Sequence, residues 1–276
     1  MKNQNKILTL LALVLALAVF AGAAEPQKLR FGVCPGPIGD LILKAIKPGL
    51  EKKGYSVELV TFQDWVQPNL ALSNKETEVN LFQHVLYLRK FSADHNLELS
   101  ELIKIPSPAL GLYSAKIKSL KELKKGDEVA LALDPTNLAR TLRFLEKVGL
   151  ITLKPDIDQT KASLHDIVSN PKGLKFVPVE AAQLPRTRES ATVSAIPGLI
   201  AISAGLNLND ALALEELTED TKLIIALRTE DIQTPWAKDI IAVVESEGFR
   251  DALQDKQNIF LGFQKPDWYK TKWHVK

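Results

Sequence analysis

The sequence predicts an α/β protein of two lobes with a cleft between them. Three observations carry this expectation. From residue 29 onward, apolar runs of strand length alternate with amphipathic runs of helix length, the pattern of mostly parallel sheets flanked by helices on both faces. Two stretches, 99–114 and 223–227, read as an outward and a return crossing between halves of the chain. A strand–turn–helix at 128–150, centred on Asp134-Pro135-Thr136-Asn137-Leu138-Ala139-Arg140, opens the second half. Two lobes joined by two crossings can close on a ligand by hinge motion.

The first 24 residues stand apart from this pattern. Lys2 and Lys6 precede an almost unbroken apolar run at 7–20, and Ala21-Gly22-Ala23-Ala24 offers small residues for cleavage. This reads as a secretory signal peptide, residues 1–24, cut after Ala23 or Ala24. The run is shorter than the ~20 residues of a comfortable membrane span. No cysteine follows it directly, so no lipidation site is expected, and the product should be periplasmic or secreted. The chain has 35 Lys+Arg and 33 Asp+Glu; two of the lysines and no acidic residue lie in the leader, which leaves 33 of each sign. A balanced surface gives no basic face for nucleic acid. The one cysteine, Cys34, excludes an intrachain disulfide and reads as a buried, inert thiol at a strand end.

The elements follow in order. Residues 29–33 form a short strand, Cys34-Pro35-Gly36-Pro37 a turn, and 38–53 a helix with Gly54 beyond its end. A strand at 55–61, a short helix at 69–73, a strand at 77–82 and a helix at 87–95 complete the first run. Pro106 and Pro108 mark the crossing, and 109–113 is a strand leaving the first lobe. Next come a short helix at 117–123 with Ser119 as cap, the strand at 128–133 and the helix at 138–150. Residues 164–168 read as helical, and 174–179 as a strand that Pro178 places near a sheet edge. A helix begins at 183–186, a strand covers 192–196, and a long amphipathic helix at 234–249 packs back on the first lobe. The expected organisation is residues 25–112 plus 224–276 as lobe 1 and 113–223 as lobe 2.

Ligands of such sheets sit beyond the carboxyl ends of the strands. The Asp134–Arg140 turn is the first candidate. Thr136 or Asn137 can cap the helix, and Arg140 on the first turn adds a planar fork suited to a carboxylate or phosphate. A capped surface helix with a solvated arginine is the simpler local explanation. An Arg140 at the cleft, outside any core, predicts that Arg140→Ala abolishes binding and spares the fold. Phe62-Gln63-Asp64-Trp65 and Phe82-Gln83-His84-Val85-Leu86-Tyr87 follow two first-lobe strands. Their aromatic and polar side chains suit an apolar pocket with a few placed hydrogen bonds. The glycine-bearing turn at 32–37 lacks the Gly-Lys-Ser/Thr of a phosphate loop and the spacing of a dinucleotide fingerprint. The histidines at 84, 95, 165 and 274 have no metal-ligand spacing. Neither a cofactor nor a metal is expected.

Ordered motifs then carry a resemblance. The run from Glu58 to Trp65, Pro68-Asn69 with Ala71-Leu72-Ser73, Asn80-Leu81-Phe82-Gln83-His84 and Ile117-Lys118-Ser119-Leu120 belong to it. So do Asp134-Pro135-Thr136-Asn137-Leu138 with Arg140, the run from Lys147 to Ile151, Asp166-Ile167-Val168 with Asn170-Pro171, and Gln183-Leu184-Pro185-Arg186. Together they resemble the NlpA/MetQ family, the methionine-binding components of bacterial ABC importers. The resemblance runs from about Leu29 to residue 250. It implies a two-lobed type II periplasmic binding protein and a non-enzymatic role. It implies that Arg140 pairs with the ligand carboxylate beside Asn137, and that Trp65 (where the family usually has tyrosine), Phe82, His84 and Tyr87, with Gln83 between them, surround the side chain. The implied partners are a methionine-like small molecule and a membrane ABC permease, with no nucleic acid, and a monomer is expected. Two family asparagines that contact the polar end of the amino acid fall at Pro197 and at Leu223 or Ile224 here.

Other readings stay open on sequence alone. A paralogue with a changed ligand, such as an N-blocked or peptide-linked amino acid or an organosulfur compound, fits the same motifs. An enzyme on this scaffold would need a nucleophile and base; there is no Gly-x-Ser-x-Gly elbow, and a His84–Asp64 dyad is the one pairing to test. A structural or adhesive role would show as a collapsed cleft.

Overall fold

The computed structural model describes residues 25–158 and 161–275. The expected signal peptide, residues 1–24, lies outside them. The first half of the chain opens with β1 (Gln27–Val33), whose alternation buries Leu29, Phe31 and Val33. A helix follows at 37–51, α1, with one wide π turn at Ile42–Ile46. Pro48 explains that turn: it has no N–H to return to the preceding turn, so the helical register slips there. β2 (Tyr55–Thr61), α2 (Gln67–Ser73), β3 (Val79–Asn80), α3 (Val85–His95) and β4 (Leu99–Lys104) come next. The expected strand at 77–82 is thus only two residues long. Asn80 turns inward beneath Gly32, where an added Cβ would lie 2.2 Å from Asn80 Oδ1, and the chain leaves the sheet.

The second half contains β5 (Gly111–Tyr113), β6 (Glu128–Ala132), α4 (Pro135–Lys147), β7 (Thr152–Leu153), β8 (Ile167–Ser169), β9 (Lys175–Val179), α5 (Leu184–Thr187), β10 (Val193–Ile196), α6 (Gly198–Ser203) and β11 (Ala213–Leu214). The helix expected at 164–168 is a single 3-10 turn, Leu164–Asp166, before β8. Ser119 caps the 3-10 turn Leu120–Glu122, as its sequence suggests. The chain returns through β12 (Ile224–Arg228) to α7 (Pro235–Val244), α8 (Glu247–Gln254) and α9 (Asp267–Trp273). The long helix expected at 234–249 is therefore two. Ser246 divides them: its hydroxyl donates to Val243 O at 2.7 Å and accepts from Phe249 N–H at 3.2 Å, closing one helix and capping the next.

Two five-stranded sheets result, ordered β2-β1-β3-β12-β4 and β11-β5-β10-β6-β9. In each, four strands run one way and one is reversed: β12 in the first, β5 in the second. The reversed strands are the ones nearest the crossings. β9 lies on an edge, where the missing N–H of Pro178 costs no ladder bond. Each sheet has its own core, one around Phe31, Ile46 and Phe249, the other around Leu131, Leu142 and Leu145. The lobes also touch. Trp65 of the first half packs on a second-half cluster, and Leu199 and Ile202 pack on the first-half core.

The two crossings run side by side and are tied together. Leu223 N–H donates to Ser107 Oγ at 2.7 Å, and Ile105 N–H to Leu223 O at 2.8 Å. Gln264, before α9, exchanges two backbone bonds with Ser107 at 2.8 and 3.0 Å. Its side chain bonds the other crossing, donating to Glu215 O and accepting from Leu217 N–H, each at 2.8 Å.

Candidate functional site

The segments after β2, β3, β6 and β10 converge between the sheets on one cavity. Its lining includes Trp65, Phe82, Gln83, His84, Tyr87, Asn137 and Arg140. These seven residues, expected from the sequence to contact a ligand, therefore line one cavity, whereas Asp64 and Thr136 do not. Pro108, Pro197, Gly198, Leu199, Thr221 and Leu223 complete the wall.

The loop that carries three of these residues is fixed from below by buried amides. Asn69 and Gln83 exchange reciprocal side-chain bonds at 2.7 and 2.8 Å, and Asn80 Nδ2 reaches Pro68 O at 2.7 Å. Reciprocal amide bonds satisfy both groups without water, so the network holds the loop in one conformation.

His84 is the N-cap of α3. Its Nδ1 accepts from Tyr87 N–H at 3.2 Å, so the proton is on Nε2, which lies 3.3 Å from Asn137 Oδ1. This bond joins the two lobes. Burial, together with the nearby Arg140 charge, pushes His84 down to about 3, against the pull of the Asn137 bond. It is a neutral imidazole at physiological pH. The His84–Asp64 dyad does not form. Asp64 instead accepts from Val66 and Gln67 N–H, both at 2.8 Å, and so shapes the turn that presents Trp65.

The aromatic wall is built edge to face. Tyr87 meets Trp65 and Phe82 at T-shaped angles with centroids 6.3 Å apart in both cases. The Tyr87 hydroxyl donates to Trp65 O at 3.1 Å. Burial raises the Tyr87 phenol well above its usual range, with negative charge on Asp134 adding to it. Cys34, expected to be buried, is only half-buried; its Sγ lies 3.2 Å from Asp64 O, and partial burial pushes its thiol up to about 12.

The second lobe supplies α4, and here the structure corrects the expected cap. The N-cap is Asp134, not Thr136 or Asn137; its carboxylate accepts from Asn137 N–H at 3.0 Å and from the Asn137 amide at 3.0 and 3.2 Å. Pro135 begins the helix, so Arg140 lies on its second turn. At the far end, Gly149 at φ +75° and the Leu150 N–H bond to Leu145 O form a left-handed cap.

Arg140 is not solvated. Its side chain is 9% exposed and pairs with Glu215, itself 10% exposed. Nε lies 2.9 and 3.0 Å from the two carboxylate oxygens, and Nη2 lies 2.5 Å from one of them. Glu215 stands outside the cavity wall and holds one edge of the guanidinium, while Arg140 itself lines the cavity. Among the described residues, no protein acceptor bonds Nη1. Sequence reasoning missed Glu215, which sits in a polar stretch, 215–222, that reads as surface.

Comparisons with known proteins agree with this architecture. The profile of the NlpA lipoprotein family matches residues 29–268. The D-methionine-binding lipoprotein MetQ of Salmonella typhi is 38% identical over 247 residues, spanning 88% of this chain and 90% of its own length. A periplasmic substrate-binding protein of an ABC transporter from Coxiella burnetii superposes with a TM-score of 0.80 at 34% identity, over 86% of this chain and 99% of that one. A nutrient binding protein from Burkholderia cenocepacia bound to methionine gives 0.78 at 33% identity, over 83% and 96%.

Proposed function

The chain belongs to the NlpA lipoprotein family, and we propose that it is a solute-binding protein that captures methionine or a related small carboxylate between its lobes and delivers it to a membrane ABC importer. The observation that carries this reading is that Arg140, Trp65, Phe82 and Tyr87 line one cavity. A guanidinium held along one edge keeps its other N–H groups in a fixed plane, which suits a carboxylate. Aromatic edges around an apolar space suit a thioether side chain. The relatives named for methionine support the same ligand class.

In this reading residues 25–110 plus 224–276 and residues 111–223 move as two lobes, the boundary falling before β5 because that strand pairs within the second sheet, and the ligand enters when the His84–Asn137 bond opens. The protein acts as a monomer in the periplasm after loss of its leader. Cys34 is a poor anchor for lipid. It follows β1 directly, and maturation at its thiol would remove the strand that pairs with both β2 and β3.

The test is thermal unfolding of protein that has been unfolded, stripped of ligand and refolded, with L-methionine, D-methionine and methionine-containing dipeptides. A ligand at 100 times its dissociation constant adds about 2.7 kcal/mol, roughly 5–10 °C for a chain of this size. A rise of that size with any of them supports the reading. No rise with any of them overturns it.

A further inference from the structure

The two features that most favour an anion in the cavity are each matched by a carboxylate of the protein. Arg140 is the one ionised side chain in the wall, since His84 is neutral. Glu215 meets that charge, its two oxygens 2.9 and 3.0 Å from Nε and one of them 2.5 Å from Nη2. The positive N-terminal end of α4 is met by Asp134, which accepts from the Asn137 backbone and side-chain amides. α3 also opens on the wall, and its cap is the uncharged His84.

A ligand carboxylate on Nη1 is therefore the second negative charge on one guanidinium. Arg140 and Glu215 are 9% and 10% exposed, so salt and water screen them little. The cluster of two carboxylates and one guanidinium carries one net negative charge, and like charges in such a site disfavour one another. A ligand that brings a positive group beside its own carboxylate leaves the cluster neutral. This distinction comes from charge balance, whichever atoms of the wall also bond the positive group.

We propose that Glu215 is a specificity-determining residue: by balancing Arg140 it makes the site favour ligands of zero net charge, zwitterionic amino acids, over small carboxylates that carry no positive group. This rests on the reading of Arg140 as the carboxylate anchor.

The experiment is isothermal titration of the full chain, stripped of ligand and refolded, as parent, Glu215→Gln and Glu215→Asp. The compounds are L-methionine, D-methionine, 2-hydroxy-4-(methylthio)butanoate, 4-(methylthio)butanoate and 3-(methylthio)propylamine, which keeps the amine and lacks the carboxylate. In the parent, the hydroxy and desamino acids are expected at least tenfold weaker than the tighter methionine enantiomer. Glu215→Gln should shrink that gap at least tenfold, whereas Glu215→Asp, which keeps the charge, should leave it as in the parent. A general loss of Arg140 positioning would weaken all the acids alike and leave the gap unchanged. Glu215→Ala replaces Glu215→Gln if the latter does not refold, since both remove the charge. A parent gap under tenfold, a gap that shrinks less than tenfold without the charge, or an equal shrinkage in Glu215→Asp overturns the proposal, and the Arg140 anchor survives if the amine fails to bind. An amine that binds as tightly as methionine overturns the anchor and the proposal together. Failure of all five to bind the parent overturns the proposed function and this inference with it.

Discussion

Glu215 grips Arg140 along Nε and Nη2, with both side chains about nine-tenths buried. This pairing reverses the expectation that Arg140→Ala spares the fold. Truncation leaves the Glu215 carboxylate buried without its partner, which costs about 3–5 kcal/mol. Replacing both residues, Arg140→Met with Glu215→Gln, should restore most of that loss, because no charge is then stranded. Neither variant should bind the ligand. Urea unfolding of the parent, the single and the double variant checks this; a single variant as stable as the parent would sink the argument.

His84 predicts a pH dependence of stability. The folded protein holds it neutral down to about 3, whereas an unfolded histidine takes up a proton near 6.5. Between these values the unfolded chain binds the extra proton, so stability falls as pH falls, by about 1.4 kcal/mol per unit. From pH 7 to pH 5 the parent should lose about 2 kcal/mol more than His84→Gln. Parallel urea-unfolding curves at the two pH values measure the difference, and equal losses in both proteins would rule out His84 as the source.

Gly198 sits where the cavity wall touches the outward crossing. A Cβ there would lie 2.4 Å from Ala109 O and 2.7 Å from Pro108 Cβ. Backbone atoms cannot yield as a flexible side chain can, so Gly198→Ala should cost about 1–3 kcal/mol. It should also weaken ligand binding, because Pro108 and Pro197 are pushed apart. Calorimetric melting and a ligand titration test both effects; a variant with the parent's melting temperature and affinity would refute the contact.

The sequence makes some of these features legible and hides others for physical reasons. Local rules suffice for Pro178 on an edge, for the Ser119 cap and for the placing of the site at strand ends. They also bring the seven named site residues to one cavity, because strand ends in α/β sheets converge by topology. Local rules fail where a partner is distant. Glu215 looks like surface until folding brings it against Arg140, 75 positions away. Ser246 looks like a tolerated residue inside a helix, and only its bonds to Val243 and Phe249 reveal a break. The short β3 depends on Asn80 finding Pro68 and Asn69 beneath the sheet.

Glu215 also lies where the two crossings meet. Its N–H bonds Leu110 O at 2.8 Å and its carbonyl is held by Gln264, which clasps Ser107 on the other crossing. The residue whose side chain pairs with Arg140 thus also bonds, through its backbone, to Leu110 and Gln264 at the crossings. A ligand shifts the balance of open and closed forms only by binding one of them better. In the proposed role, a carboxylate held by Arg140 would thus act on a side chain whose own backbone is bonded to both crossings.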